Sequence, residues 1–591
     1  MSQAVAVEAV ANQAAEPVRL VIWDLDDVFW NGTLSEEGMT WRPESAEAVV
    51  ELSRRGIINA ICSKNDLARV EAVLQAHGLR DYFVFPSVDW SPKGPRLAAL
   101  VAQVQLRPET ILFIDDNPMN RAEARHFVPG LQIADETILP RLLDDPRLRG
   151  KPDPDMTRLA QYRILEQRQS DQQRAGTDQV AFLRDSGITV SINFDLAPHL
   201  DRAIELINRT NQLNFTKSRL PEDPEAARGA LRALLGKHTV NAGLVHVRDR
   251  YGDYGYCGIY IARNDRSGPV PELLHFAFSC RILGMGIETW LYRHLNRPRL
   301  RVRGEVLADV IADRRDIDWV RMELPGVTQD AAVQPRVLAY VLARGGCDMR
   351  AMAHYLDMVA CRVVEEIAGV RDGMSRLTCG SVIAAHAIHG VPPALVRDAA
   401  PLGFAPEDFA SVIAAPPAES PAIWLLNFTL ERSVPVLRHK ETGALLPAWI
   451  LGIKGGALQM LRADPARSGL DPALVAHLRE KFDMLGVLPD EIFEQNLRLI
   501  LKQAPPDVRV FILLANEQGR DPDGTPTVLA PMQQRNRHIA AVTRDFPAVE
   551  LLAPRDFMSA AEMAALETPH HYDRVVYFRM FQHVMRRVQG A

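Results

Sequence analysis

Between residues 18 and 149, four short β-branched runs, VRLVIW, IINAICS, YFVFPS and TILFID, alternate with amphipathic stretches of helical period. Parallel strands need a crossover between them, and a helix is the usual way to cover it, so this rhythm predicts a Rossmann-like parallel α/β sheet. The best-signalled unit is the helix after the second run. Asn65 or Asp66 caps it, Leu67, Val70, Val73 and Leu74 share one face, and Gly78 stops it.

A chain of 591 residues exceeds what one core organises, and three regions are readable. The first 17 residues are expected to be a disordered tail, residues 18–150 the parallel α/β domain, 155–325 an α+β domain and 335–591 a further α/β domain. The polar stretch RGKPDPDMTR reads as the linker after the first domain. The second carries a strand pair, TVNAGLVHVRD and YCGIYIAR, around a YGDYG turn. After LPGVTQDAAVQPR the chain turns strongly helical, with strand-like runs at SRLTCGS, AIWLLNF and VRVFILLANE.

A net charge of -6 gives no basic excess for a nucleic-acid backbone. Six scattered cysteines without Cys-x-x-Cys pairs argue against a disulfide framework or a structural zinc, so a reduced, cytoplasmic protein is expected. No apolar run approaches the length that spans a bilayer, and no membrane partner is expected.

The first run ends in Asp24-Leu25-Asp26, which places two carboxylates at the carboxyl edge of the sheet, where α/β proteins put their ligands. Asp115 and Asp116 end the fourth run and supply further hard oxygens, which with Asp24 suit Mg²⁺; Asp26 is a further candidate ligand. Ser63, at the end of the second run, offers a hydroxyl to a transferring phosphoryl group, and Lys93 in WSPKG offers charge neutralisation. The intervals from Asp24 to Ser63 and from Ser63 to Lys93 are too short for a large cap domain, so an open site is expected.

These motifs resemble those of the haloacid dehalogenase superfamily. The resemblance implies Asp24 as the nucleophile that takes the phosphoryl group and Asp26 as the general acid/base. The wording DLDDVFWNGTLSEEG, ICSKND, WSPKG and FIDDNP resembles the FkbH-like branch, and the likeness continues through NRTNQLNFTKSRL, VRDRYGDYGYCGI and FSCRILGMGIE to about residue 325. Asp27-Val28 and Asn120 depart from its usual pattern. The resemblance implies a glyceryltransferase/phosphatase that takes D-1,3-bisphosphoglycerate, a phosphorylated glycerate, and loads a glyceryl unit onto the phosphopantetheine thiol of a separate acyl carrier protein in polyketide-type metabolism. A phosphatase of a small phosphometabolite and a non-catalytic carrier-docking module are the alternatives.

In the second region Arg281, Gly284 and Gly286 fit the Arg-x-x-Gly-x-Gly loop with which acetyltransferase-like (GNAT-like) folds hold a pantetheine pyrophosphate. Cys280, beside an arginine at a helix start, is expected to have a lowered pKa and to serve as an acyl acceptor. In the third region SRLTCGSVIAAHAIHG reads as strand, tight turn and helix, and resembles the first block of SGNH-type hydrolases. That likeness implies Ser381 as nucleophile, Asn516 as oxyanion donor and His571, or its neighbour His570, as base, although the Asp expected three residues before the His is missing. His386 and His389 are read as helix-face residues.

Overall fold

The computed structural model describes residues 16–35, 38–174, 178–237, 239–264, 270–323, 337–346, 348–371, 374–450, 471–520, 525–564, 566 and 571–589. Most of the expected tail, with His570, lies outside the described residues.

The chain forms two compact units, the first running up to Ile188 and taking in Val247–Gly255 and Cys280–Met285, the second holding the rest. In the first, strands β1 (Leu20–Trp23), β2 (Ile58–Ser63), β3 (Ser87–Val88), β4 (Ile111–Ile114) and β5 (Gln132–Ala134) form one parallel sheet in the order β3-β2-β1-β4-β5. Alternate residues of each strand enter opposite cores, as the two-residue period requires. Val21, Trp23, Ile61, Leu112 and Ile114 pack with α1 (Pro43–Arg54) and α2 (Leu67–Ala76) through Val49, Leu52, Val70 and Leu74. Leu20, Ile22, Ile58, Ala60 and Phe113 pack with α3 (Lys93–Val104) and α4 (Pro118–Phe127) through Leu97, Leu100 and Ala124. Each buried aliphatic side chain contributes roughly 1.5–3 kcal/mol, so both faces of the sheet are sealed by burial alone.

The second core contains a helix that the sequence reading gave to the next domain. Leu159, Tyr162 and Leu165 of α5 (Thr157–Arg174) join the core of the first sheet, and Glu166 accepts the Phe85 N–H at 2.7 Å. The boundary expected near residue 150 thus falls beyond α5. A polar PDPD stretch reads as a linker in sequence, but here it only leads into another packed helix.

A six-stranded sheet of order β11-β6-β8-β9-β10-β7, most of whose residues belong to the second unit, is built from β6 (Ile188–Asn193), β7 (Leu213–Asn214), β8 (Val240–Asp249), β9 (Gly252–Arg263), β10 (Glu272–Phe278) and β11 (Val320–Glu323). The strand pair expected around YGDYG is β8 and β9. A fully parallel sheet follows in the same unit, from β12 (Leu338–Gly345), β13 (Ala360–Ile367), β14 (Ala422–Asn427), β15 (Arg509–Leu513) and β16 (Val549–Leu552), in the order β13-β12-β14-β15-β16. Its first two strands stand where helices were expected. VLAYVLAR is a continuous apolar run, and buried on both faces such a run has no alternation to mark it as a strand. Met374–Arg376, from the expected SRLTCGS strand, pairs antiparallel in a separate sheet instead.

Candidate active site

In the first sheet the winding reverses between adjacent strands β1 and β4, so a crevice opens at their carboxyl ends. There β1 delivers Asp24, and β4 delivers Asp115 and Asp116. Carboxylate oxygens of these three residues lie within 4.8 Å of one another. Lys93, the first residue of α3 and 1% exposed, sets Nζ 2.6 Å from both Asp24 Oδ2 and Asp115 Oδ2. Burial alone would lower its pKa, but the two carboxylates hold the ammonium above its ordinary value. Asp115 is raised by burial and then by the charge of Asp24, and Asp116 is raised for the same two reasons. The crowding of negative charge, only partly relieved by one lysine, is what a divalent cation would remedy, and an all-oxygen donor set fits Mg²⁺.

Second contacts fix this group. The Asn120 amide donates to Asp115 Oδ1 and Oδ2 at 3.1 and 3.2 Å, and Arg121 Nη1 donates to the carbonyls of Asp115 and Asp116 at 2.7 and 2.6 Å. Asn120 therefore orients the Asp115 carboxylate by hydrogen bonding without adding charge. Ser63 is buried at the end of β2, and Arg96 holds the carbonyls of Ser63 and Asp89 at 2.8 and 2.7 Å, with that of Ser87 also in its grip. Asp27 adopts φ +55°, a conformation Asp tolerates better than most residues, and its carboxylate accepts the Gly32 N–H at 2.8 Å.

The Asp26 carboxylate does not join the cluster of Asp24, Asp115 and Asp116 carboxylates. Its Oδ1 accepts Trp30 Nε1 at 2.8 Å and the Leu34 N–H at 3.1 Å, while Asn65 Nδ2 reaches both of its oxygens at 3.2 Å. Burial raises its pKa in spite of the Trp30 and Leu34 bonds. The two carboxylates of Asp24-Leu25-Asp26 are thus given different surroundings, one beside a lysine and two acids, the other beside neutral donors.

Arg281 Nη1 donates to the Tyr254 carbonyl at 2.9 Å, and Gly284 and Gly286 take φ +80° and +74°, with Gly286 capping the helix Ile287–His294. Cys280 lies in a short 3₁₀ turn ahead of that helix, and burial pushes its thiol up to about 11. The expected lowered pKa is corrected: burial moves the thiol in the opposite direction.

In the third sheet the reversal lies between β12 and β14. Ser381 begins the helix Ser381–His389 as expected, but it is wholly buried, and its hydroxyl donates to Glu431 Oε2 at 3.1 Å and accepts from Asn496 Nδ2 at 3.4 Å. Glu431 also accepts the Ser381 N–H, and burial raises its pKa. Arg344 donates to the Gly380 carbonyl at 2.9 Å and pairs with Glu366. Asn516 closes its own turn through Gln518, and half-buried His571 precedes the helix Arg574–Gln589. Among the described residues Ser381 is hydrogen-bonded to neither Asn516 nor His571; His570, the alternative base, lies outside them. His386 faces the Leu445 carbonyl at 2.7 Å. Ser381→Ala should leave phosphate release intact and cost about 1–3 kcal/mol in urea unfolding, because Glu431 loses a buried donor; a loss of phosphate release would contradict this reading.

Solved structures similar to this chain include the N-terminal part of a Bacteroides fragilis protein containing a phosphatase domain complexed with Mg (23% identity, 22% of this chain and 39% of that one, TM-score 0.19). A putative 3-deoxy-D-manno-octulosonate 8-phosphate phosphatase from Vibrio cholerae is also similar (23% identity, 18% of this chain and 62% of that one, TM-score 0.16). So is the Moraxella catarrhalis 3-deoxy-D-manno-octulosonate 8-phosphate phosphatase in complex with magnesium, phosphate and KDO (13% identity, 28% and 95%, TM-score 0.17). The chain therefore spans about two fifths of the first and just under two thirds of the second. No protein-family model and no curated protein matches it.

Proposed function

We propose that the first unit is a phosphoryl-transfer domain of haloacid-dehalogenase type and that the chain is a Mg²⁺-dependent phosphatase. The observation that carries this reading is the grouping of Asp24, Asp115 and Asp116 around Lys93 at the switch point of a parallel sheet. Asp24 Oδ forms a bond to phosphorus as the bond from phosphorus to the leaving oxygen breaks, and Asp26 gives that oxygen its proton. In the second half Asp26 takes a proton from water as the water oxygen bonds to phosphorus and the Asp24–phosphorus bond breaks. Lys93 and Ser63 bind the equatorial oxygens. Asp24, Asp115 and Asp116 would hold Mg²⁺, which when bound neutralises the crowded carboxylates and the phosphate charge.

Phosphate release from a phosphomonoester is expected to vanish in EDTA and return with Mg²⁺; chelator-resistant release would remove the metal from the scheme. Mg²⁺ affinity, read by calorimetry, should fall as pH drops through the raised carboxyl pKa values. The sign follows because protons compete for Asp115 and Asp116 in the metal-free protein, so binding at lower pH must release them.

The finer reading is glyceryl transfer to the phosphopantetheine thiol of an acyl carrier protein. It is supported by the FkbH-like wording that runs through both of the first two regions. With the Cys280 thiol pushed up by burial, direct attack by the carrier thiol is favoured: its sulfur bonds to the acyl carbon as the acyl–phosphate C–O bond breaks, the thiol proton passes to the departing phosphate, and the remaining 3-phosphate is transferred to Asp24 and then to water, leaving the glyceryl thioester. Intact-mass measurement of a carrier incubated with enzyme, Mg²⁺ and bisphosphoglycerate should show the glyceryl adduct, with Cys280→Ala retaining it. An unmodified carrier leaves the phosphatase reading alone standing.

A further inference from the structure

We propose that Trp30 and Asn65 are positioning residues that hold the Asp26 carboxyl apart from the metal-binding carboxylates, at the side of the leaving group. The inference deepens the phosphoryl-transfer reading and rests on it.

Three donors converge on Asp26. Trp30 Nε1 and the Leu34 N–H come from the loop that follows β1, and Asn65 comes from the loop that follows β2, so the carboxyl is tied to two strands at once. Each tie is itself fixed. Trp30 is wholly buried, with its ring edge-on to Phe29 and stacked with Trp41, which stacks on His77 at 3.6 Å between ring centroids. Asn65 is buried, and its Oδ1 accepts the Asp66 N–H at 3.0 Å, which orients the amide so that Nδ2 faces Asp26. Asp66, not Asn65, caps α2 through the Arg69 N–H at 2.9 Å, so the Asn65 amide is not engaged in capping the helix. The Leu34 backbone is steadied in turn by Arg69, whose Nη2 donates to the Leu34 carbonyl at 2.9 Å.

A carboxyl that must donate a proton to a leaving oxygen gains from being held in one place by neutral groups. Charged donors would stabilise its ionised form much more strongly than neutral ones and so oppose that donation. Nε1 of an indole and Nδ2 of an amide are such neutral donors. Asp24, two residues earlier, faces an ammonium instead.

The test compares an alkyl phosphate, whose leaving oxygen needs a proton, with p-nitrophenyl phosphate, whose leaving group needs little. In Trp30→Phe and Asn65→Ala the ratio of alkyl to aryl kcat should fall about tenfold or more, with KM little changed, since general acid catalysis is worth about 10²–10⁴. Asp26→Asn should show the same shift at its largest, and adding Trp30→Phe or Asn65→Ala to Asp26→Asn should not lower the ratio further. If both substrates lose activity in equal proportion, or neither loses any, the positioning role is wrong and the contacts only support the fold. Should Trp30→Phe fail to fold, Asn65→Ala decides by the same criterion. A wild-type enzyme inactive on both substrates with Mg²⁺ present would instead overturn the phosphoryl-transfer reading, and this inference with it.

Discussion

Asp24→Asn should lower phosphate release by at least about a hundredfold, the scale of losing an essential catalytic group. The amide keeps the shape of the side chain but cannot attack phosphorus. It also removes one of the three carboxylates grouped at the switch point, so Mg²⁺ affinity should weaken in the same variant. Phosphate assay and calorimetry on one preparation separate the two losses. Activity within a few-fold of wild type would reject Asp24 as the acceptor, and normal metal affinity with lost activity would confine its part to nucleophilic attack.

Lys93→Met is expected to be the most damaging single change to the first unit in the absence of metal. Lys93 is buried between Asp24 and Asp115, each 2.6 Å away, and its loss leaves two neighbouring carboxylates without their cation. Removing one partner of a buried pair costs about 3–5 kcal/mol, and urea unfolding in EDTA should show a loss of that size. Mg²⁺ should restore part of it, because a divalent cation supplies the missing positive charge to the same oxygens. Unchanged stability in EDTA would mean that the lysine is not the counter-ion described here.

What could be read from the sequence was whatever depends on neighbours in the chain. The runs before Asp24, Ser63 and Asp115 are strands because β-branched residues crowd them, and Ser381 does begin a helix. What escaped depends on residues brought from afar. Glu431 meets Ser381 across 50 positions and Asn65 meets Asp26 across 39, and nothing local announces either pair. The lowered pKa expected of Cys280 fails for a related reason: its arginine neighbour is visible in sequence, but the burial that raises the thiol is not. Asn65 and Asp66 were equal candidates to cap α2, and only the three-dimensional partner of Asn65 settles which residue does so. The strand β12 was hidden by its own completeness, since a run apolar on both faces has the pattern of a buried helix.

The first unit is not one continuous stretch of chain: beyond Ile188 it also draws on Val247–Gly255 and Cys280–Met285. During synthesis its last segment is made long after the carboxylate-bearing strands have left the ribosome. At about 5–20 residues per second, the ribosome needs on the order of 5–20 s to pass from Ile188 to Met285. Over that interval the nascent sheet can form while part of its surround is still unwritten, so the order of translation, and any pause within it, bears directly on how this unit matures.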